Sequence, residues 1–196
     1  MSDRRVRIHG HPISTWVRTV RMACIEKEID HELVRIAYGS AEHLALHPFG
    51  RIPIAEIGET IIFETLAITG HLDEAFAGPA LQPASPAARA RMRTWMGLCA
   101  DYLYSDVVRT VPRDRAPTDE EHATARRALE RAEGLMADHG FLAGDAITLA
   151  DLYLAPQLAN CADKAPQLLD GLPATAAWME LIGGRPSFRR TVYIPA

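Results

Sequence analysis

Apolar positions in the first third of the chain fall into short runs of strand character separated by stretches with a helical period. Val6 to His9 is a β-type run that stops at Gly10. His11-Pro12 breaks the chain, and a helix opens near Ser14 with Val17, Val20, Cys24 and Ile25 on one face and Arg18 and Arg21 turned away. Leu33 to Ile36 reads as a second strand, Tyr38-Gly39-Ser40 as a turn, and Ala41 to Leu46 as a short helical piece ended by Pro48-Phe49-Gly50. Ile54 to Ile57 and Thr60 to Phe63 flank Gly58-Glu59, a two-residue connection with glycine first that predicts a tight hairpin. Pro53 stands at the first residue of that hairpin, where a missing backbone donor is tolerated, and the Ile52-Pro53 bond is one where a cis peptide costs little. Glu64-Thr65 then opens an amphipathic helix with Leu66, Ile68 and Leu72 as its apolar positions.

The order strand, helix, strand, helix, strand, strand, helix over residues 1–77 predicts a layered α/β unit of the thioredoxin type. Proline and glycine crowd together from Gly78-Pro79 to Pro86, which marks a linker and sets a second domain at residues 86–196. No strand pattern follows it. Met92, Trp95, Met96, Cys99 and Leu103 keep helical spacing and read as core, as do Leu129, Ala132, Leu135 and Met136. Pro112 and Pro117 separate these two helices, and Gly140 is placed at the end of the second. Thr148 and Asp151 form an S/T-x-x-D capping pair, with Ile147 and Leu152 at the spacing of a hydrophobic staple; their role is to start a buried helix. Short helices around Ala174 to Ile182 and Pro186 to Arg190 close the chain. The expected architecture is a thioredoxin-like α/β domain followed by an all-α domain.

Composition narrows the chemistry. A chain of 196 residues with 48% hydrophobic and 23% charged residues is an ordinary globular protein, without an apolar run of membrane-spanning length. Its net charge of -4 is spread over both parts, so a nucleic-acid partner is not expected. The N-terminal residues lack the apolar core of a signal peptide, and Cys24, Cys99 and Cys161 form no CxxC motif. Both features fit a cytoplasmic, reducing setting. His9 and His11 have no third acid or cysteine ligand at useful spacing and read as a strand and a loop residue; no metal is expected.

Four blocks carry a family resemblance: GHPISTWVR from Gly10, HPFGRIP from His47, FETLAIT from Phe63 and FLAGDAITLADLYLAP from Phe141. With the two-part architecture they cover essentially the whole chain, which resembles the cytosolic glutathione transferase family. The first block is closest to the serine-type classes, the phi, zeta and beta-like bacterial branches. The resemblance implies a detoxifying transferase that joins glutathione to a hydrophobic electrophile and works as a homodimer. Two other functions stay open: a glutathione-dependent isomerase of the maleylacetoacetate type, and a non-catalytic interaction module on the same fold.

Residue by residue, the resemblance adds to readings that local structure alone would supply. Ser14 at a helix start is on its own an N-cap; by resemblance it is the hydroxyl that stabilises the glutathione thiolate. Thr15 is a substitute donor and Arg18 a source of positive potential. Ile52 and Pro53 match the cis-proline dipeptide whose backbone pairs with the cysteinyl part of glutathione. Glu64 and Thr65 match the acid and hydroxyl that hold its γ-glutamyl end, with threonine in place of serine. Arg51 stands where the family often has Gln or Lys and could reach a glutathione carboxylate. The stretch between the second strand and HPFG is short and lacks the basic pair that phi-type members use for the glycyl carboxylate; His43 is nearby but does not align with it. Cys24 lies inside the first helix, so Ser14 fills the position that a redox cysteine holds in glutaredoxin-like relatives.

Overall fold

The computed structural model describes residues 5–112, 115–136 and 140–193 and divides into two compact units. In the first, β1 (Val6–His9), β2 (His31–Val34), β3 (Ile54–Ile57) and β4 (Thr60–Phe63) form one sheet in the order β2-β1-β3-β4. β1 and β2 run parallel, joined through helix α1 (Thr15–Glu26); β3 and β4 are antiparallel to their neighbours. Helix α2 (Ala41–Leu46) lies between β2 and β3 in sequence, and α3 (Thr65–Ala75) follows β4. The period-two pattern decides which side is dry. Val6, Ile8, Ala55 and Ile57 meet Val17, Val20 and Cys24 of α1 and Ile68 and Leu72 of α3 in one buried cluster. On the opposite sheet face Arg7 donates to both Glu56 oxygens, at 2.9 and 3.2 Å. The hairpin turns at Gly58, whose φ of +60° glycine adopts freely.

Several expectations shift. The second strand is His31–Val34 rather than Leu33 to Ile36, because an edge strand with half-buried residues has no apolar run to fix its bounds. Leu66 is exposed, and only Ile68 and Leu72 of the expected α3 face are buried. Arg18 is not turned away: it is 9% exposed, its Nε donates to Thr191 Oγ1 at 3.1 Å and its Nη2 to the Phe188 carbonyl at 3.0 Å. Burial, with Arg21 adding to it, lowers the Arg18 pKa to about 10. The guanidinium also lies 4.3 Å over the Phe188 ring. These contacts, with a hydrogen bond from Ser187 Oγ to Glu26, hold α8 (Pro186–Arg189) and the residues after it on α1. The segment from Pro186 onward therefore groups with the first unit and not with the helical domain expected at 86–196. Lys27 and Asp73 form a buried ion pair at 3.0 Å that also binds the Pro79 carbonyl and the Leu81 N–H, fixing the chain leaving α3.

The second unit, Gln82–Arg185, is helical as expected. Helix α4 (Pro86–Leu98) has Ser85 at its N-cap and proline at its first turn, and it continues as a π-helical stretch, Cys99–Val108. Met92, Trp95, Met96, Cys99 and Leu103 are all buried. Helix α5 (Asp119–Glu133) starts at a capping box made by Thr118 and Glu121 and stops at Gly134, earlier than the expected Gly140; Leu135 is exposed. Helix α6 (Leu149–Lys164) is buried along most of its length. Asp151 explains how such a helix can start inside the unit: its carboxylate accepts from the Thr148 N–H and hydroxyl, the Leu142 N–H and Trp178 Nε1, at 2.8 to 3.0 Å. Helix α7 (Pro173–Gly183) is tied to α5, since Glu133 accepts from the Ala174 and Thr175 N–H groups.

Candidate functional site

The sheet register gathers the candidate residues. His9, the last residue of β1, pairs with Ile54, the first of β3, and Ile54 pairs with Phe63, the last of β4. His9 also pairs with Val34, the last residue of β2. One line across the sheet thus ends three strands and begins the fourth. The segments just beyond it are Gly10 to Ser14, Arg51 to Pro53 and Glu64-Thr65, which hold all six expected site residues.

Each segment has a local reason for its shape. Gly10 leaves room for the α1 side chains, since a Cβ there would run into Val17. Ser14 is the N-cap of α1: its backbone is extended, its N–H donates to the His11 carbonyl at 3.0 Å, and its Oγ accepts from the Val17 N–H at a long 3.4 Å. A serine hydroxyl has one proton to donate as well as lone pairs. Among the described residues that proton has no acceptor. Thr15 is buried in the first turn. Arg18 is committed to Thr191 and Phe188, so its expected part in the electrostatics of the site is not supported.

The Ile52-Pro53 peptide is cis, and the β3 register begins only at Ile54. The Ile52 backbone therefore lies outside the ladder. Arg51 is exposed, and its guanidinium has no carboxylate partner among the described residues. Arg35, directly after β2, is a second exposed cation at this end of the sheet; its Nη1 lies 3.3 Å from His11 Nε2.

Glu64 has φ +71° and ψ 122°, a backbone conformation costly for any residue with a Cβ. It sits at the N-cap of α3 without making a side-chain cap bond, so its own carboxylate leaves the first-turn amides of that helix uncapped. A helix start in this state favours an anion, and Thr65, half-buried at its first position, adds a hydroxyl.

Two histidines to which the sequence assigned no role in the site complete the arrangement: His43, set aside because it does not align with the basic pair, and His47. His47 is buried beside the Phe63 ring, with centroids 4.5 Å apart. Its Nδ1 accepts from the Phe49 N–H at 3.3 Å, and its Nε2 lies 3.8 Å from Glu64 Oε1. Burial is the main cause that lowers its pKa, partly opposed by Glu64 and reinforced by His43 and Arg51. A neutral His47 leaves the negative charge of Glu64 available to a cation. His43 is also fully buried, with the Gly39 N–H donating to Nδ1 at 3.0 Å and Nε2 lying 2.9 Å from the Arg51 carbonyl.

The remaining candidates belong elsewhere. His9 Nε2 contacts Glu56 Oε2 at 2.9 Å, and with Arg7 it holds the Glu56 carboxyl below its usual range. His9 and His11 thus serve different networks. Cys24 lies in the core, where burial pushes its thiol up to about 12, far from nucleophilic. Taken together, the sheet end offers a hydroxyl proton at a helix start, an unpaired backbone edge, a carboxylate and an uncapped helix N-terminus. That set can bind a short peptide-like molecule carrying a thiol, an ammonium and carboxylates.

Comparison with known proteins bears on the same residues. Residues 8–80 match the model of the glutathione S-transferase N-terminal domain and residues 80–186 that of the C-terminal domain. Glutathione S-transferase 3 of Zea mays is 30% identical over 95% of this chain and 93% of its own length. Glutathione S-transferase PARB of Nicotiana tabacum is 29% identical over 93% of this chain and 95% of its own. A solved glutathione S-transferase from Rhodospirillum rubrum F11 superposes with a TM-score of 0.84 at 26% identity, over 97% of this chain and 93% of that one.

Proposed function

Since the chain belongs to the glutathione S-transferase family and is a glutathione S-transferase, we propose that it uses Ser14 to hold the glutathione thiol as a thiolate for attack on an electrophilic carbon. The observation that carries this reading is the shared sheet end, where the register brings the Ser14, Ile52-Pro53 and Glu64-Thr65 segments together. The unspent Ser14 proton donates to the sulfur, and the α1 N-terminus adds favourable potential. A free cysteine thiol titrates at about 8.5, so at neutral pH this donor raises the thiolate fraction. The thiolate forms the new C–S bond while the electrophile's leaving group departs, or its π bond accepts the electron pair.

Ile52 pairs through its backbone with the cysteinyl unit, as an added strand would, and Pro53 begins the strand behind it. Glu64 takes the γ-glutamyl ammonium; Thr65 and the α3 amides take its carboxylate. Arg51, aided by Arg35, supplies the positive charge for the glycyl carboxylate that a basic pair after β2 supplies in phi-type relatives. The chemistry proposed is of the serine type and the phi kind. The co-substrate is a hydrophobic electrophile.

A second copy of the chain is the proposed partner. Phe49 is 80% exposed in the first unit. The second unit carries a cleft of about 250 Å³ lined by Leu98, Tyr102, Leu103, Ala128, Ala132 and Leu135 together with Asp106 and Arg131. An exposed apolar surface rimmed by polar residues is one mark of a protein–protein contact.

Calorimetric binding of glutathione, with conjugation to a chromogenic aryl halide, tests the site. Glu64→Ala is expected to weaken glutathione binding at least tenfold, since a charge-assisted pair is worth about 1.5–3 kcal/mol. Unchanged affinity would refute the assignment and favour a scaffold on the same fold.

A further inference from the structure

We infer that His43 is a positioning residue for glutathione, acting through the Arg51–Ile52 peptide. The inference rests on the reading that the Ile52 backbone pairs with the cysteinyl unit. Three observations carry it.

The first is the tautomer. The Gly39 N–H points at His43 Nδ1 at 3.0 Å, so that nitrogen must be the acceptor and the ring proton must sit on Nε2. The second is what Nε2–H reaches. Its partner at 2.9 Å is the Arg51 carbonyl, which lies outside every strand. The third is confinement: the ring is fully buried, with the Tyr38 ring centroid 5.0 Å away, and both nitrogens are used. A ring held in this way cannot swing without leaving a buried polar group unpaired.

Peptide planarity converts that contact into control of the site. The Arg51 carbonyl and the Ile52 N–H belong to one rigid trans unit and point in opposite directions. Fixing the carbonyl therefore fixes the Ile52 N–H, the donor offered to the ligand. No ladder bond does this, because β3 begins at Ile54. The two ends of the imidazole do different work: Nδ1 closes the Gly39 turn, and Nε2 aims the peptide.

Two variants separate these jobs. His43→Asn places an amide oxygen near Nδ1, keeping an acceptor for Gly39, but cannot reach Arg51. His43→Gln reaches Arg51 with an N–H and gives up the Gly39 bond. The readouts are glutathione KM and kcat, calorimetric Kd, the unfolding midpoint, and the Ile52 amide resonance of the labelled protein with and without glutathione. The expected result is a KM and Kd about tenfold weaker in His43→Asn, the loss of one oriented hydrogen bond. Its kcat at saturating glutathione should stay within about twofold of wild type, its Ile52 amide should be displaced, and His43→Gln should remain near wild type in KM.

Equal affinity in His43→Asn and wild type overturns the proposal, as does an equal loss in both variants, which would trace the effect to the Gly39 turn or to packing. If neither variant folds, the wild-type amide decides: an Ile52 resonance that shifts with glutathione and whose order parameter without it is as high as that of the strand amides supports a held donor, and a low order parameter overturns one. A wild-type Ile52 amide that ignores bound glutathione refutes the site reading itself, and this proposal with it.

Discussion

Replacing Ser14 by alanine separates the two things its hydroxyl does. As an acceptor it caps α1 through a bond of 3.4 Å to the Val17 N–H, long enough that its loss should cost only about 0.5 kcal/mol, the low end for a cap. As a donor it has no acceptor among the described residues, and the proposed mechanism directs that proton to sulfur. If the donor and the helix N-terminus lower the thiol pKa from about 8.5 to about 6.5, the preference is worth ~2.7 kcal/mol. At pH 6.5 the bound thiolate would then fall from about one half to about one per cent in the variant. The more basic thiolate left behind is also more nucleophilic, by roughly eightfold for two units at a Brønsted slope near 0.45. The net loss of conjugation rate at pH 6.5 is therefore about sixfold. The sign reverses with pH: both enzymes are mostly thiolate by pH 9, and there the more nucleophilic thiolate of the variant should conjugate about sixfold faster than wild type. Ultraviolet titration of bound glutathione gives the pKa directly, and kcat profiles from pH 5.5 to 9.5 give its consequence. The same thiol pKa in the variant as in wild type, or a deficit of the same size at every pH, would refute the reasoning and leave Ser14 as a cap alone.

Two further outcomes follow from packing. Asp73→Ala strands the buried Lys27 ammonium and the Leu81 N–H, so it should cost ~3–5 kcal/mol in denaturant unfolding. Adding Lys27→Met to it should recover part of that loss; a single variant within ~1 kcal/mol of wild type would show that the pair contributes little. Sedimentation velocity should find wild type as a dimer and Leu135→Arg as a folded monomer, since the substitution exchanges an apolar lining residue of the cleft for a second arginine beside Arg131. A monomeric wild type at micromolar concentration would sink the proposed assembly.

Much of the first unit could be read from local chemistry. Gly58-Glu59 marks the hairpin because few residues accept a positive φ, and Pro53 marks a strand start because it cannot donate. The Thr148–Asp151 pair announces α6 for the same kind of reason: a side chain near a helix start has few partners to choose from. Long-range contacts left no such trace. Arg18 looks like a surface residue on the α1 pattern, and only the return of Phe188 and Thr191, some 170 positions later, turns it into a buried one. That return also moves the last segment out of the helical unit where continuity of the chain had placed it.

The site divides along the same line. Ser14, Glu64 and Thr65, proposed to touch the ligand, and Pro53, which begins the strand behind Ile52, stand at ends of strands and helices, where orphan backbone groups select a narrow set of side chains. A sequence exposes that selection. His43 and His47 stand on and just past α2, a helix of six residues too short to show a periodic face, and their closest partners include the Gly39 and Phe49 amides and the Arg51 carbonyl. A backbone partner has no residue type, so no pattern or pairing of side chains could have pointed to it. The register line through His9, Ile54 and Phe63 decides which segments meet. What aims those segments is buried imidazole bonded to main chain, and that became readable only once α2 had a place beside them.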